Sequence, residues 1–287
     1  MNTTTLTPEQ AGQALHPLDD ALVLAPTGRA HEFSGRTTPA YWNMVGPYGG
    51  ITAATLLQAV LQHPDRIGEP LSLTVNFAAA VGEGAFTVQA TPVRTNRSSQ
   101  HWSIVQLQAG SDGVAQVVST ATAITAARRT TWGVADTPAP AVPTPQQCTV
   151  LARDHFPVQW LRQYEMRPIT GSIPTQWDGC GETSLSQLWV RDAQPRALDF
   201  ASLAALADVF FPRVWLRRAR HVPAGTVSMT VYFHAGGAEL AATGAGHLLA
   251  QARAQDFRNG YFDQSAQLWN EAGLLLATSH QIVYYKE

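Results

Sequence analysis

The sequence predicts an α+β molecule built from two fused copies of one unit, each an antiparallel sheet with a single long helix at its centre. Three observations lead there. Residues 50–62 and 199–212 are rich in helix formers and apolar nearly all round, the pattern of a helix buried on every side rather than laid on a surface. Each is followed by strand-like runs separated by Gly-rich or polar turns. Finally, Leu73-Thr74-Val75-Asn76-Phe77 matches Met229-Thr230-Val231-Tyr232-Phe233, and the turn Asp112-Gly113 matches Ala272-Gly273, in the same order of elements. Such internal likeness points to a repeat.

The polar, Thr-rich start of the chain resembles neither a signal peptide nor a lipidation signal, and everything before about Arg36 is expected to be a loosely attached lead-in. A turn-rich stretch from Tyr41 then leads through Gly49 and Gly50 into the first helix. The two glycines serve either close helix packing or a backbone-to-ligand approach. Strands are expected at residues 71–77, 85–94, 101–109 and 114–124. Residues 128–150 carry Pro138, Pro140, Pro143 and Pro145, which suits an extended linker and excludes a central strand. Beyond it come strands at 164–167 and 185–191, and a helix opened by Asp199 as N-cap and closed by Pro212. The last strands are expected at 226–234, 239–254, 260–270 and 274–285. The chain thus divides into 1–127, a linker at 128–150, and 151–287.

Composition narrows the function. With 287 residues, 45% hydrophobic, the chain can bury one large core or two modest ones. Charged residues make up 14% and the formal net charge is -2, with no basic run, which argues against a nucleic-acid partner. Cys148 and Cys180 stand far apart with no metal-binding or redox spacing, as expected of free thiols in a reducing compartment. No apolar run is long enough for a membrane span. A soluble cytoplasmic protein without a membrane partner is the expectation.

One carboxylate, Asp208, interrupts the otherwise apolar second helix, with no Lys or Arg three or four residues before it. Burying an unpaired carboxylate costs several kcal/mol, so Asp208 is either a structural cap or a group kept for chemistry. The sequence has no G-x-S-x-G elbow, no H-E-x-x-H and no Walker loop, and its nine His residues show no metal spacing. Water activation by a carboxylate is the simplest hydrolytic chemistry left.

Several short strings together resemble the acyl-CoA thioesterase II type of double hot-dog hydrolase: Gly49-Gly50 before Ile51-Thr52-Ala53-Ala54, Glu165-Met166-Arg167-Pro168, Leu188-Trp189-Val190-Arg191, Ala207-Asp208, and Ala277-Thr278-Ser279-His280-Gln281. The resemblance covers nearly the whole chain from Trp42. It implies a double hot-dog fold and hydrolysis of acyl-CoA to a free acid and coenzyme A with no cofactor or metal. Asp208, Thr226 and Gln281 would be the catalytic residues, with backbone N–H groups near a helix start receiving the oxyanion. By themselves Thr226 suits a plain strand position and Gln281 a solvent-facing one. An acyl-CoA-binding protein, an inactive homologue and a hot-dog enoyl-CoA hydratase are the alternatives. Arg97 and Arg258, in matching turns, are candidate contacts for coenzyme A phosphates or solvated turn residues. Glu165 with Arg167, and Trp189 with Arg191, alternate on strand faces, where cross-strand ion pairing is the default. In the first copy Pro70 takes the place of Thr226, and Ala121 or Thr122 that of Gln281, so only the second copy is expected to be catalytic. Exposed sheet edges favour further association, to a homodimer or a higher homo-oligomer.

Overall fold

The computed structural model describes residues 15–152 and 157–287. Its first half runs α1 (Pro17–Ala21), β1 (Ala25–Pro26), β2 (Glu32–Arg36), α2 (Gly49–Leu61), β3 (Glu69–Phe77), β4 (Ala85–Thr95), β5 (Ser99–Ala109) and β6 (Ala115–Ala126). The second half runs β7 (Tyr164–Thr170), β8 (Ser186–Asp192), α3 (Phe200–Leu206), α4 (Arg213–Arg218), β9 (Ala224–Phe233), α5 (Gly237–Thr243), β10 (Leu248–Arg253), β11 (Phe257–Arg258), β12 (Tyr261–Asn270) and β13 (Leu275–Tyr285). No described helix is long and apolar enough to cross a membrane.

All strands join one antiparallel sheet in the order β1-β2-β4-β5-β6-β3-β9-β13-β12-β10-β8-β7, with β11 hooked to β12. Outward from the centre, β3, β6, β5, β4 and β2 follow the same succession as β9, β13, β12, β10 and β8. The two matched sequence motifs meet at that centre: Thr74 pairs with Thr230, Leu73 with Val231 and Val75 with Met229. Their register is that of an approximate twofold axis through the threonines, whose hydroxyls lie 3.0 Å apart. Alternation in these strands turns Leu73, Val75, Met229 and Val231 inward, where all four are fully buried.

The helix α2 is buried along most of its length and packs against α3 and the inner faces of β3–β6. Its partner is shorter than the sequence implies. Asp199 caps α3 by accepting the Ser202 N–H, and Ser202 answers through its hydroxyl, but the helix ends at Leu206 rather than Pro212. The Asp208 N–H bonds to Ala205 and the Val209 N–H to Leu206, the tightened pattern of a last turn. Val209-Phe210-Phe211 then run outside any helix, and Pro212 bars its predecessor Phe211 from helical geometry. Asp208 therefore sits in the turn just beyond the helix, not within it.

Two other expectations are corrected. Residues 239–254 are not one strand: a Glu239 carboxylate bonded to the Gly236 N–H starts α5, Gly244 ends it at a positive φ of 59°, and only β10 is extended. The lead-in is firmly attached from residue 15 on. Leu18 is fully buried, Arg196 holds Asp19 at 2.9 Å, and β2 pairs with β4. Residues 1–14 lie outside the described residues. The Pro-rich stretch is docked on the second half, its Pro145 and Cys148 carbonyls accepting from Arg167 at 2.9 and 3.1 Å and its Pro143 carbonyl from Trp189 at 2.8 Å. Both cysteines are free thiols.

Candidate active site

The turn after α3 holds Asp208 against the start of α2. Gln281, on β13, donates from Nε2 to Asp208 Oδ1 at 2.7 Å, and Thr226, on β9, donates its hydroxyl to Gln281 Oε1 at 3.1 Å. The order of this chain fixes the amide: its oxygen takes the hydroxyl, so its NH2 group faces the carboxylate. A second donor to Asp208 is the backbone N–H of Gly50, in the first turn of α2. Two buried bonds steady the turn. Tyr48 donates its hydroxyl to the Ala205 carbonyl at 2.6 Å, and Ser279 donates to the Ala207 carbonyl at 3.1 Å.

The paired glycines have separate reasons. A methyl group on Gly50 would lie 2.5 Å from the Ala205 carbonyl oxygen, so Gly50 permits the approach of α2 to α3. A methyl group on Gly49 would lie 2.7 Å from Asp208 Oδ2; its absence leaves room beside the carboxylate.

Burial pushes the Asp208 carboxyl up to about 7, against the hydrogen bonds from Gln281 and Gly50, which pull it down. Asp208 nevertheless keeps some exposed surface, so solvent reaches one side of it. A carboxylate whose proton affinity lies near neutrality, held by fixed donors and open to water, is equipped as a general base.

The other sequence candidates lie elsewhere. Arg97 is exposed in the β4–β5 turn, and Arg258 is exposed and bonded to Asp256 at 2.6 Å. Glu165 binds Arg167 and Arg191, each at 2.7 Å, and His247 at 3.0 Å. Despite burial, which opposes ionisation, the Arg191, His247 and Arg167 hydrogen bonds hold Glu165 at about 2. It knits β7 to β8 and to His247, the residue just before β10. Sequence reasoning missed Gln264, on β12, which pairs directly with Gln281 on β13 and is buried. The available signal was a lone amide at an inward position in line with Phe262, Ala266 and Leu268.

The register also corrects the first-copy counterpart of Gln281. Gln281 pairs with Met229, whose counterpart Leu73 pairs with Ala123, so the equivalent is Ala123 rather than Ala121 or Thr122. Counting from the turns misleads here because the first hairpin is longer on both strands: the Trp102–Ala123 pair lies further from the turn closed by Gly110 and Val114 than the Gln264–Gln281 pair lies from the turn closed by Asn270 and Leu274. Pro70 does stand where Thr226 stands, opposite Thr125 as Thr226 is opposite Val283.

His31, His63 and Asp65 present ligand atoms within 4.8 Å of one another, a cluster that their spacing in sequence did not signal. His63 Nδ1 accepts the Asp65 N–H, so in the neutral ring the proton sits on Nε2, which faces His31 Nδ1 at 2.8 Å. That is a hydrogen bond between two imidazoles, with the Nε2 lone pair unavailable to a metal.

The chain is similar to two family models that together span most of it: the acyl-CoA thioesterase N-terminal domain over residues 38–138 and the acyl-CoA thioesterase C-terminal domain over residues 136–285. Among solved structures, a conserved protein of unknown function with a hot-dog fold from Alicyclobacillus acidocaldarius is 44% identical, with a TM-score of 0.89 over 96% of this chain and 99% of that one. The acyl-CoA thioesterase II TesB2 of Mycobacterium marinum is 16% identical, with a TM-score of 0.73 over 94% of this chain and 98% of that one. The dehydratase domain of PpsC from Mycobacterium tuberculosis, solved with C12:1-CoA, is 11% identical, with a TM-score of 0.53 over 95% and 100%. The latter two likenesses show the fold alone. No curated protein matches the sequence.

Proposed function

The chain belongs to the acyl-CoA thioesterase family, and from that premise we propose that it hydrolyses acyl-CoA thioesters to a free acid and coenzyme A, with Asp208 activating the water. The observation that carries this reading is the hydrogen-bonded chain from Thr226 through Gln281 to Asp208 beside the first turn of α2. Asp208 takes a proton from a water as its oxygen attacks the thioester carbonyl carbon. The carbon–sulfur bond then breaks, and the thiolate leaves with the bonding pair and is protonated by solvent. Gln281 and Thr226 hold the base in a fixed orientation. The amide dipoles at the start of α2 supply positive potential for the developing oxyanion.

We read the architecture as a double hot dog, one copy in residues 1–127 and one in 151–287 joined by 128–150. Because Pro70 and Ala123 replace Thr226 and Gln281, the first copy contributes the α2 terminus and walls rather than a second site. The hydratase alternative needs an imidazole beside the acid, and the partners of Asp208 among the described residues are an amide and a backbone N–H.

Replacing Asp208 with Asn keeps the shape and removes the base. Turnover of acyl-CoA, followed as free thiol, is expected to fall by about 10²-fold or more with the fold intact. In the parent, turnover is expected to rise with pH through about 7 as the Asp208 carboxyl ionises. Turnover by Asp208→Asn within a few-fold of the parent would make Asp208 structural. Binding of acyl-CoA by the parent without thiol release would mark a binder.

A further inference from the structure

The internal repeat supplies a comparison for Gln264. In the first copy Leu73, Ala123 and Trp102 lie side by side across β3, β6 and β5. In the second the same places hold Met229, Gln281 and Gln264, across β9, β13 and β12. Trp102 fills its place and donates its indole N–H to Thr125 Oγ1 at 3.1 Å. Gln264 is only 4% exposed, yet its amide has no hydrogen-bond partner among the described residues. Neither atom of that amide is fully enclosed, so the little surface that Gln264 keeps includes its polar end. An amide buried without a protein partner is costly, and in a native fold such a group is held by a water or a ligand.

The amide stands beside the proposed base. Residues paired across an antiparallel ladder share a face, with Cβ atoms about 4.5–5.5 Å apart, so the Gln264 side chain runs alongside that of Gln281. Gln281 is fully engaged. Its Nε2 donates to Asp208 Oδ1 at 2.7 Å and to Met229 Sδ at 3.5 Å, and its oxygen accepts from Thr226 at 3.1 Å. Gln281 therefore orients the carboxylate and is not free to turn toward a water. A water that bridges two oxygens spans about 5.5 Å, the length of two hydrogen bonds, which matches the spacing of neighbouring side chains in the ladder. Asp208 keeps some exposed surface as well. A water about to attack a carbonyl has two hydrogens to place, and only one of them goes to the base.

We propose that Gln264 holds the attacking water: its amide oxygen accepts one hydrogen of that water while Asp208 accepts the other. The inference rests on the thioesterase reading above and adds a residue to that site. Asp208 takes the proton it holds as the water oxygen bonds to the thioester carbon, and the carbon–sulfur pair then leaves with the thiolate. The hydrogen on Gln264 stays with the attacking oxygen, and Gln264 itself neither gains nor loses a proton. Trp102, in the same place of the first copy, has no acceptor to offer a water.

The test joins a crystal structure of the parent, at a resolution that shows ordered waters, to kinetics and melting of Gln264→Met, a variant of similar length without the amide. The parent is expected to show one water within hydrogen-bond distance of both the Gln264 amide and the Asp208 carboxylate, and its absence overturns the proposal. Rates are taken with whichever of acetyl-, octanoyl- and palmitoyl-CoA the parent turns over fastest. Gln264→Met is expected to lower kcat by about tenfold or more and leave KM within about twofold, the mark of an interaction with the reacting groups. Its melting temperature is expected to hold or rise, since an unpartnered amide gives way to an apolar group. The rise of rate with pH is expected to stay near 7, since Gln281 and Gly50 still hold Asp208. An unchanged kcat overturns the proposal. So does a loss of kcat that comes with a lower melting temperature or a displaced pH profile, because either marks a residue that shapes the fold around Asp208. Should Gln264→Met fail to fold, the water in the parent decides. Should the parent hydrolyse none of the three thioesters, the hydrolase reading fails by itself, and the same water decides whether Gln264 and Asp208 share one.

Discussion

Gly49 and Gly50 are adjacent and identical, yet the structure gives them different tasks, and substitution separates the two. A methyl group at Gly50 meets a backbone carbonyl of α3 that has nowhere to move. Gly50→Ala is therefore expected to push the helices apart and destabilise the fold by about 1–3 kcal/mol, the usual cost of overpacking, with activity lost alongside. A methyl group at Gly49 touches the Phe77 ring at an ordinary contact distance and is crowded by the tip of Asp208 alone, a side chain that can swing aside at the expense of its bond to Gln281. Gly49→Ala is expected to lower kcat by about tenfold or more, as misplacement of a reacting group does, while shifting the melting temperature little. Equal losses of stability in the two variants, measured by thermal denaturation beside kcat, would remove the distinction. The same pair shows what single residues disclose: the sequence left close packing and ligand approach as alternatives, and the three-dimensional arrangement assigns one to each glycine.

At the scale of elements, legibility followed the strength of the periodic signal. The strands with clean alternation and bounded turns, β3 to β6 and β12 to β13, lie within a few residues of where alternation put them. α2, apolar on every side and free of proline, was equally plain. The second helix misled because its apolar run continues through Val209-Phe210-Phe211, residues whose hydrophobicity serves the core rather than a helix face. Pro212 constrains only its own predecessor, so nothing local marked the earlier break after Leu206. At residues 239–254 a helix and a strand share one apolar stretch, divided by Gly244. Good helix formers and the Glu239 cap were the signals against a continuous strand. Asp208, Thr226 and Gln281 were nominated by family resemblance, whereas their hydrogen bonds depend on the register of β9 against β13 and its bulge, which no single segment encodes. Gln264 escaped because an inward amide is informative only once its cross-strand neighbour is known.

For the whole molecule, the sheet ends in β1, of only two residues, and in β7, where Pro168 withholds a donor. The free edges are thus blunted, so association is expected to use faces rather than to extend the sheet; light scattering that finds a strict monomer at micromolar concentration rules it out. The balance of buried carboxyl groups gives a second global property. Burial raises Asp208 and Asp192 from 3.8 to about 7, and one oxygen of Asp192 has no hydrogen-bond partner among the described residues. A carboxyl raised in the folded state contributes its stability in full below its unfolded value and loses it as pH rises, the loss being complete once pH passes through the folded value. Glu165 acts in the opposite sense: lowered to about 2 from 4.5, it stabilises above its unfolded value and loses that contribution as pH falls through about 2. The two effects together place maximal stability on the acid side of neutrality. The melting temperature is expected to fall as pH is raised from about 5 to about 7 and then to level off. Asp192→Asn carries the shape without the ionisation and lies outside the Asp208 hydrogen-bonded chain, so its melting temperature should fall less steeply over that interval. Melting curves recorded across the pH series on both proteins decide the matter: a parent that gains stability over this interval, or a variant with an undiminished slope, would show that Asp192 is not held protonated in the folded chain.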